Sequence, residues 1–313
     1  MLRRPAALSG RELLICAIVA VTGCLALSLL LYLTGTNLVR QSEFRFSRIR
    51  RGDLHVDVLI VGNSRARDLI VGRPPDARPS VYNLAYNGLS RTETLAWIRL
   101  FFEQGNTAST VVVESSALFS DEVLCDGKVY WPLYPELRAL EARACPRDAG
   151  AERFFPLTLL DSEQFMRAIY YLRRSDQDWG DGYTIPRSRC EQADINEIFT
   201  FRKHAEAMDQ VRAREQLDEL HTWMDMHSPQ TRLVFVLAPF LASPGAVDSI
   251  ADIERIDRKF LTHEHHISLA TLLGSDCERF ADAVHVGPQG RPIVANALFA
   301  ALSTLREDDL SGP

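Results

Sequence analysis

The sequence lacks any excess of positive charge. Its 35 lysine and arginine residues are outnumbered by 41 aspartate and glutamate residues, which gives a formal net charge of −6. A protein of that charge has no general affinity for nucleic acid, so nucleic acid is not an expected partner. Internal repeats and low-complexity tracts are also absent, which argues against a repeat architecture. With 313 residues, 46% of them hydrophobic, the chain can bury one substantial core and carry an inserted subdomain.

A long segment without any charged residue begins at Leu13 and ends at Leu33. At about 1.5 Å per helical residue it is long enough to cross a hydrocarbon core about 30 Å thick. A cleaved signal peptide would have a shorter apolar region and a small-x-small cleavage site, whereas this segment ends in a run of leucines. The segment therefore predicts an uncleaved single-pass anchor, preceded by a tail of residues 1–12 and followed by a polar stalk of residues 34–52.

The charges around this segment give conflicting indications of its orientation. Three arginines precede it, which suits a cytoplasmic N-terminus, but five more arginines follow it between residues 40 and 51. The positive-inside rule counts against exporting either set.

The cysteines favour an oxidising compartment for the part of the chain beyond the anchor. Cys125, Cys145, Cys190 and Cys277 form an even set of four there, as is typical of proteins in which disulfides persist. Three pairings are possible, and we favour Cys125–Cys145 with Cys190–Cys277. Four unpaired buried thiols remain the alternative.

Strands and helices alternate through residues 53–313. Short β-branched runs without polar alternation predict buried parallel strands at residues 56–61, 81–85, 110–114 and 233–237, with a weaker one at 267–270. Helices are predicted at residues 92–104, with Ser90 as N-cap, and at 202–226 and 288–302. This order predicts a three-layer α/β/α sandwich around a central, mainly parallel sheet, in which ligands bind at the carboxyl ends of the strands.

Residues 119–200 interrupt the alternation. They contain three of the four cysteines beyond the anchor and many aromatic side chains. A structureless loop of that length would be unusual, so an inserted, partly helical cap over the strand ends is predicted. Its aromatic residues either line a carbohydrate or acyl cleft or form the core of the insertion itself.

Two short motifs carry the chemistry. Gly62-Asn63-Ser64 ends the first predicted strand, and Asp282-Ala283-Val284-His285 lies near the C-terminus. A serine hydroxyl is a poor nucleophile unless a histidine accepts its proton, and the histidine needs a carboxylate to fix its tautomer. Because Asp282 and His285 are three residues apart, one loop can deliver both groups. Ser64 alone would be read as an ordinary helix N-cap.

These motifs resemble those of the SGNH (GDSL-like) hydrolase superfamily. Gly62-Asn63-Ser64 stands where the family has Gly-Asp-Ser, and Asp282-x-x-His285 matches its last block. Gly88, in the stretch that begins at Tyr82, corresponds to the family glycine whose N–H binds the oxyanion. The family's Gly-x-Asn-Asp block is not recognisable. The resemblance therefore implies an oxyanion hole built from the N–H groups of Ser64 and Gly88, with Asn87 as the substitute side-chain donor.

The resemblance also implies a function. Membrane-anchored members of this type move or remove O-acetyl groups on cell-envelope or exported polysaccharides, often beside a multi-pass membrane acyltransferase. We therefore expect an O-acetyltransferase or esterase with an acyl-Ser64 intermediate, anchored in the cytoplasmic membrane with its soluble domain in the periplasm or on the extracytoplasmic side. The alternatives are a non-catalytic scaffold or polysaccharide-binding partner, and a lipase acting on membrane lipid.

Other polar clusters give weaker signals. His263-Glu264-His265-His266 resembles a metal site but lacks the i, i+4 helical spacing, so no metal and no cofactor are predicted. Glu114 either contacts a substrate hydroxyl or caps a neighbouring loop, and capping is favoured. Arg65 and Arg67 either bind an anionic sugar or lie on a solvated helix face, which is the favoured interpretation.

Overall fold

A computed structural model describes residues 48–70, 78–122 and 195–310, together with short helical stretches between residues 10 and 26. The chain divides into two compact units, Met1–Ser47 with Gly127–Asp176 and Arg48–Asp126 with Gln177–Pro313. Among the described residues, no helix is both long enough and apolar enough to cross a membrane. Most of the predicted anchor and residues 123–194 of the predicted insertion lie outside the described residues. The predicted domain boundaries therefore stay predictions.

The described residues of the second unit form a parallel sheet of five strands. They are β1 (His55–Val61), β2 (Val81–Asn83), β3 (Thr107–Glu114), β4 (Arg232–Leu237) and β5 (His265–Ser268), in the spatial order β2-β1-β3-β4-β5. All four strand pairings are parallel, which confirms the predicted parallel sheet. The fifth strand begins two residues before its predicted start.

Six helices connect or flank these strands within the described parts of the second unit. They are α1 (Ser64–Leu69), α2 (Arg91–Glu103), α3 (Asn196–Ala207), α4 (Gln210–His227), α5 (Val247–Phe260) and α6 (Arg291–Leu310). Ser90 caps α2 as predicted, because its hydroxyl accepts from the Glu93 N–H while the Glu93 carboxylate accepts from the Ser90 N–H at 3.0 Å. Helix α5 was not predicted from the sequence.

The single helix predicted over residues 202–226 is wrong, since two helices occupy this region. The chain leaves helical geometry at Met208 and Asp209, and the Asp209 carboxylate then accepts a hydrogen bond from the Arg212 N–H at 3.1 Å. Asp is a favoured N-cap residue, so this local bond starts α4 afresh.

The core lies on both faces of the sheet. On one face, Ile60, Val112 and Val234 pack in a cluster with residues of α1 and α6. Side chains alternate between the two faces of a strand, so the next residues along each strand, Leu59 and Val111 among them, face the other way and are also fully buried. Both faces are therefore covered, as the predicted three-layer arrangement requires.

Candidate active site

Ser64 lies where β1 passes into α1, at the carboxyl edge of the sheet. It is the first residue of α1 and is half-buried, whereas the other residues of this helix are buried. Gly62 has a φ of +145°, and a Cβ there would lie 2.9 Å from the Ala66 Cβ and 3.0 Å from the Glu114 Cβ. Only glycine fits this close approach, so the sharp turn that presents Ser64 depends on Gly62.

Asn63, rather than Ser64, is the N-cap of α1. Its side-chain oxygen accepts from the Arg65 N–H at 2.9 Å, and its amide donates to the Ser116 hydroxyl at 3.1 Å. Ser116 in turn donates to the Glu114 carboxylate. Because the Asn63 side chain already caps α1, the hydroxyl of Ser64 is not needed as the helix cap.

The turn from Asp282 to His285 closes on itself. One carboxylate oxygen of Asp282 accepts from the backbone N–H groups of Val284 at 2.9 Å and His285 at 2.7 Å. The other carboxylate oxygen lies 2.7 Å from Nδ1 of His285. The three-residue spacing thus orients the imidazole by purely local bonds.

The structure brings this turn to Ser64, which is 221 residues away in the sequence. Nε2 of His285 lies 2.7 Å from the Ser64 Oγ. An ionised carboxylate cannot donate, so Nδ1 carries the proton that Asp282 accepts, and Nε2 is the acceptor for the serine hydroxyl. The arrangement has the order nucleophile, base and orienting carboxylate that proton abstraction from a serine requires. Asp276, a second aspartate on the N-terminal side of His285, caps a short 3₁₀ helix and pairs with Arg279 at 2.7 Å.

Asp282 is held in its ionised form. Burial alone would raise the pKa of this carboxyl group, but the hydrogen bond and charge of His285 and the two backbone N–H bonds outweigh burial and lower the pKa below its ordinary value. The group that orients His285 therefore stays charged well into the acid range.

Two of the predicted oxyanion residues, Asn87 and Gly88, lie beyond β2. Gly88 has a φ of +63°, a left-handed conformation that favours glycine, and it follows the exposed side chain of Asn87. The Asn87 side-chain oxygen accepts from the Arg67 guanidinium at 2.6 Å. Because its oxygen is occupied by a donor, the amide end of Asn87 is the end left to donate. The oxyanion role of Ser64, Gly88 and Asn87 stays a prediction.

The favoured interpretation of Arg65 and Arg67 as a solvated helix face is wrong. Arg65 is 1% exposed and Arg67 is 5% exposed. A short helix between two buried strands has no solvated face at these positions, so both guanidinium groups are used inside the protein. Arg65 forms an ion pair with Glu114 at 3.5 Å, and Glu114 also accepts from the Ala238 N–H at 3.3 Å. Loop capping is thus the role of Glu114 in the structure.

Asn83, the last residue of β2, fixes helix α1 at its other end. The Asn83 amide donates to three carbonyls at the end of α1, the shortest bond being 2.7 Å to Ile70. Asp68 is fully buried and pairs with Arg291 of α6 at 2.9 Å and with Arg67 at 3.5 Å. Burial raises the pKa of Asp68, although both arginines oppose that rise. These contacts hold the helix that carries Ser64 rigidly in place.

Glu197 is an acidic residue near the site that the sequence motifs do not indicate. Among the described residues, Glu197, Asp282 and His285 are the one group of potential metal ligands whose donor atoms lie within 4.8 Å of one another. Both ring nitrogens of His285 already have a partner at 2.7 Å, Asp282 for Nδ1 and Ser64 for Nε2. Glu197 therefore lies beside the hydrogen-bonded Ser64, His285 and Asp282 as one more carboxylate. No spacing in the sequence links Glu197 to the motif at 282–285.

The metal-like cluster at residues 263–266 does not converge on one point. Glu264 pairs with Arg214 at 2.9 Å and with His221 at 3.0 Å, whereas His266 lies 2.7 Å from the buried carboxylate of Asp257. Glu264 and His266 thus have different partners.

Cys277 is disulfide-bonded. Its partner lies outside the described residues, so the favoured pairing with Cys190, like that of Cys125 with Cys145, stays a prediction.

Comparisons with known proteins give similarity to solved structures at a low level. No protein-family model matches the sequence, and the comparison with curated proteins finds no match. Among solved structures, the chain is similar to the lipase Lip_vut3 from a goat rumen metagenome, with a TM-score of 0.38 and 12% identity over 79% of this chain and 97% of that one. A structure described as a GDSL-like lipase from Parabacteroides merdae gives a TM-score of 0.30 and 13% identity over 80% and 97%. Similarity at this level assigns neither a family nor a function to the chain.

Proposed function

We propose that the protein is a serine-dependent acyl-transfer enzyme of the SGNH type, with Ser64 as nucleophile, His285 as general base and Asp282 as the orienting carboxylate. The observation that carries the proposal is the pair of 2.7 Å contacts, from His285 Nε2 to the Ser64 Oγ and from His285 Nδ1 to Asp282. Two such contacts in series, at the carboxyl edge of a parallel sheet, are what activation of a serine requires.

In the first half-reaction, the Ser64 Oγ attacks an acyl carbonyl as its proton passes to Nε2 of His285. Negative charge then develops on the carbonyl oxygen. The N–H groups of Ser64 and Gly88, with the amide of Asn87, would donate to that oxygen. Loss of one such donor typically costs about 2.7–4 kcal/mol of transition-state stabilisation. His285 returns the proton to the leaving group, and the acyl group remains on Ser64 as an ester.

In the second half-reaction, water or a sugar hydroxyl attacks the acyl-Ser64 ester as its proton passes to His285. The bond between the acyl carbon and Ser64 Oγ then breaks, and His285 returns the proton to that oxygen. Water as attacking group gives an esterase, and a sugar hydroxyl gives an O-acyltransferase. The same array serves both outcomes, because only the second nucleophile differs.

The proposed substrate is an O-acylated, most simply O-acetylated, cell-envelope or exported polysaccharide. The motif resemblance, the uncharged segment from Leu13 to Leu33 and the aromatic-rich insertion support this substrate and an extracytoplasmic location. A multi-pass membrane acyltransferase that delivers acyl groups is the proposed partner. The second candidate, a non-catalytic scaffold or polysaccharide-binding protein, is favoured by one feature, the missing Gly-x-Asn-Asp block.

The test uses the full chain in detergent with p-nitrophenyl acetate. We expect acetate release and, in rapidly quenched samples, an acetyl group on Ser64 detectable by mass spectrometry. Ser64→Ala should lower the rate to the background of uncatalysed hydrolysis, because the remaining array has no nucleophile. Ser115→Ala is the matched control, since Ser115 is a buried serine at the neighbouring strand end.

Background rates and no adduct in the wild-type chain would contradict the proposed function. That outcome would favour the scaffold candidate.

A further inference from the structure

Arg65, the residue after the proposed nucleophile, reaches across to the segments that surround His285. Its Nε donates to the carbonyl of Val284 at 3.3 Å, inside the Asp282–His285 turn. Its Nη2 donates to the carbonyls of Ala238 and Pro239, the latter at 3.1 Å, just beyond the end of β4. One side chain therefore joins the first turn of α1 to two segments that are distant in the sequence.

The guanidinium group is enclosed on its faces and edges. It lies 3.6 Å from the ring centroid of Phe240 and 5.1 Å from that of Phe201 on α3. Glu114 supplies the counter-charge at 3.5 Å, and both side chains are fully buried. Burial lowers the pKa of Arg65 to about 10, with Glu114, Asp257 and Asp282 opposing the fall, so the group stays charged at neutral pH.

The segments that Arg65 joins are also bonded to each other. The Leu241 N–H donates to the carbonyl of Ala283 at 3.0 Å. The loop after β4 and the Asp282–His285 turn thus form one unit, and Arg65 bonds this unit to α1 in addition to the Ser64–His285 hydrogen bond. A buried arginine with three backbone carbonyl acceptors, a carboxylate and an aromatic face is a built contact that a lysine cannot reproduce.

We propose that Arg65 is a positioning residue that sets the Ser64–His285 alignment by holding the Asp282–His285 turn against the helix of the nucleophile. This inference rests on the proposed function, because it assigns Arg65 a part in acylation of Ser64. Arg65 itself touches none of the reacting atoms. Its effect is transmitted through the Val284 carbonyl, one residue before His285.

The test compares Arg65→Met and Arg65→Lys with Arg91→Met in the full chain. Arg91 is the matched control: it is 2% exposed, donates to the carbonyl of Leu118 at 2.9 Å and pairs with Asp121 at 3.4 Å. The readouts are kcat and KM with p-nitrophenyl acetate, the rate of Ser64 labelling by a fluorophosphonate, and the thermal midpoint.

For both Arg65 variants we expect kcat and the labelling rate to fall by about 100-fold while KM changes by less than about threefold, because a misplacement near 1 Å costs that much in rate. Arg91→Met should lose thermal stability and keep kcat within about threefold. Arg65→Lys keeps the charge and much of the volume, so it remains informative if Arg65→Met does not fold.

Two outcomes separate the hypotheses. An active wild-type chain with Arg65 variants that match Arg91→Met in kcat would overturn the positioning role and leave the proposed function standing. A wild-type chain without activity or labelling would contradict the proposed function itself, and the positioning role with it.

Discussion

At the residue scale, the asparagine of Gly62-Asn63-Ser64 has a physical explanation. The single proton of the Ser116 hydroxyl is donated to the buried carboxylate of Glu114, so this hydroxyl acts as an acceptor toward its other neighbour. Asn63 supplies the required donor through its amide at 3.1 Å. An aspartate at position 63 would cap α1 equally well but would place a second carboxylate against Ser116. The chain of hydrogen bonds from Asn63 through Ser116 to Glu114 thus makes Asn the better choice here.

We predict that Asn63→Asp destabilises the protein at pH 7 by about 1–3 kcal/mol, the cost of a buried acceptor that loses its donor. Such a carboxyl group would have a higher pKa in the folded than in the unfolded state. The loss of stability is therefore full above the folded-state pKa. It shrinks as the pH falls through that value, because the folded state takes up a proton first. Urea unfolding of wild type and Asn63→Asp at pH 7 and pH 4.5 measures the loss of stability and its change with pH.

The control must be an exposed position where a new carboxylate meets no buried acceptor. Asn196→Asp, an exposed position at the start of α3, adds the same charge without burial. The explanation of Asn63 would be contradicted if Asn63→Asp lost no more stability than Asn196→Asp. It would also be contradicted if the loss in Asn63→Asp were larger at pH 4.5 than at pH 7.

At the element scale, an ion pair joins α4 to the segment before β5. His221 lies 3.0 Å from the Glu264 carboxylate. The hydrogen bond to Glu264 raises the pKa of His221, against the effect of burial and with the help of the Glu264 charge. A raised histidine pKa stabilises the fold fully below its unfolded pKa, and this contribution is lost as the pH rises through the folded value.

His221→Gln should therefore lose more stability at pH 5.5 than at pH 9. We expect a difference below about 1 kcal/mol, because the pair is partly exposed to solvent. His227→Gln on the same helix is the control, since the His227 ring stacks on Trp223 and bonds to its carbonyl. Thermal or urea midpoints of the three proteins at both pH values provide the measurement. Equal losses at pH 5.5 and pH 9 would contradict the predicted linkage.

The ends of the helices show which helix starts the sequence predicts correctly. The capping box of Ser90 and Glu93 lies within four residues, so sequence alone placed the start of α2 within one residue. The start of α4 at Asp209 uses the same chemistry, but apolar residues spaced along 202–226 suggested one continuous helix. Helix α5 was missed because its many charges hide a narrow apolar stripe that includes Ile250, Ile253 and Ile256.

At the scale of the whole molecule, the predicted membrane anchor is the main open expectation. The described residues within it include Ile15, Ile18, Val19, Val21 and Leu25, which are 41–66% exposed. Apolar side chains exposed along a helical stretch are suited to contact with lipid. We expect the full chain to remain in the membrane pellet after an alkaline wash.

Replacing Val19 and Val21 by lysine should release the chain, because each charge at the centre of a membrane helix costs about 2.5–3.5 kcal/mol. Val211→Lys with Met226→Lys is the matched control, since these α4 side chains are 72% and 67% exposed. Equal retention of both double variants, or a wild-type chain found in the wash, would contradict the anchor.

The sequence by itself determined what depends on neighbours along the chain. Buried β-branched runs predicted the strands, since burial on both faces leaves no polar alternation. The three-residue spacing of Asp282 and His285 predicted that one loop delivers both groups, since they lie within four residues. Parallel order then predicted that Ser64 and Gly88 lie at one edge of the sheet.

Only the tertiary structure decided which distant groups meet. The contacts of Arg65 with Val284 and Glu114 and of Arg67 with Asn87 join separate segments. The carboxylate of Glu197 likewise comes within 4.8 Å of Asp282 and His285 from a separate segment. A charged residue next to a serine is compatible with solvent or with burial. The choice depends on whether carbonyls, a counter-charge and aromatic faces from other strands converge on it, and that convergence is a property of the folded sheet.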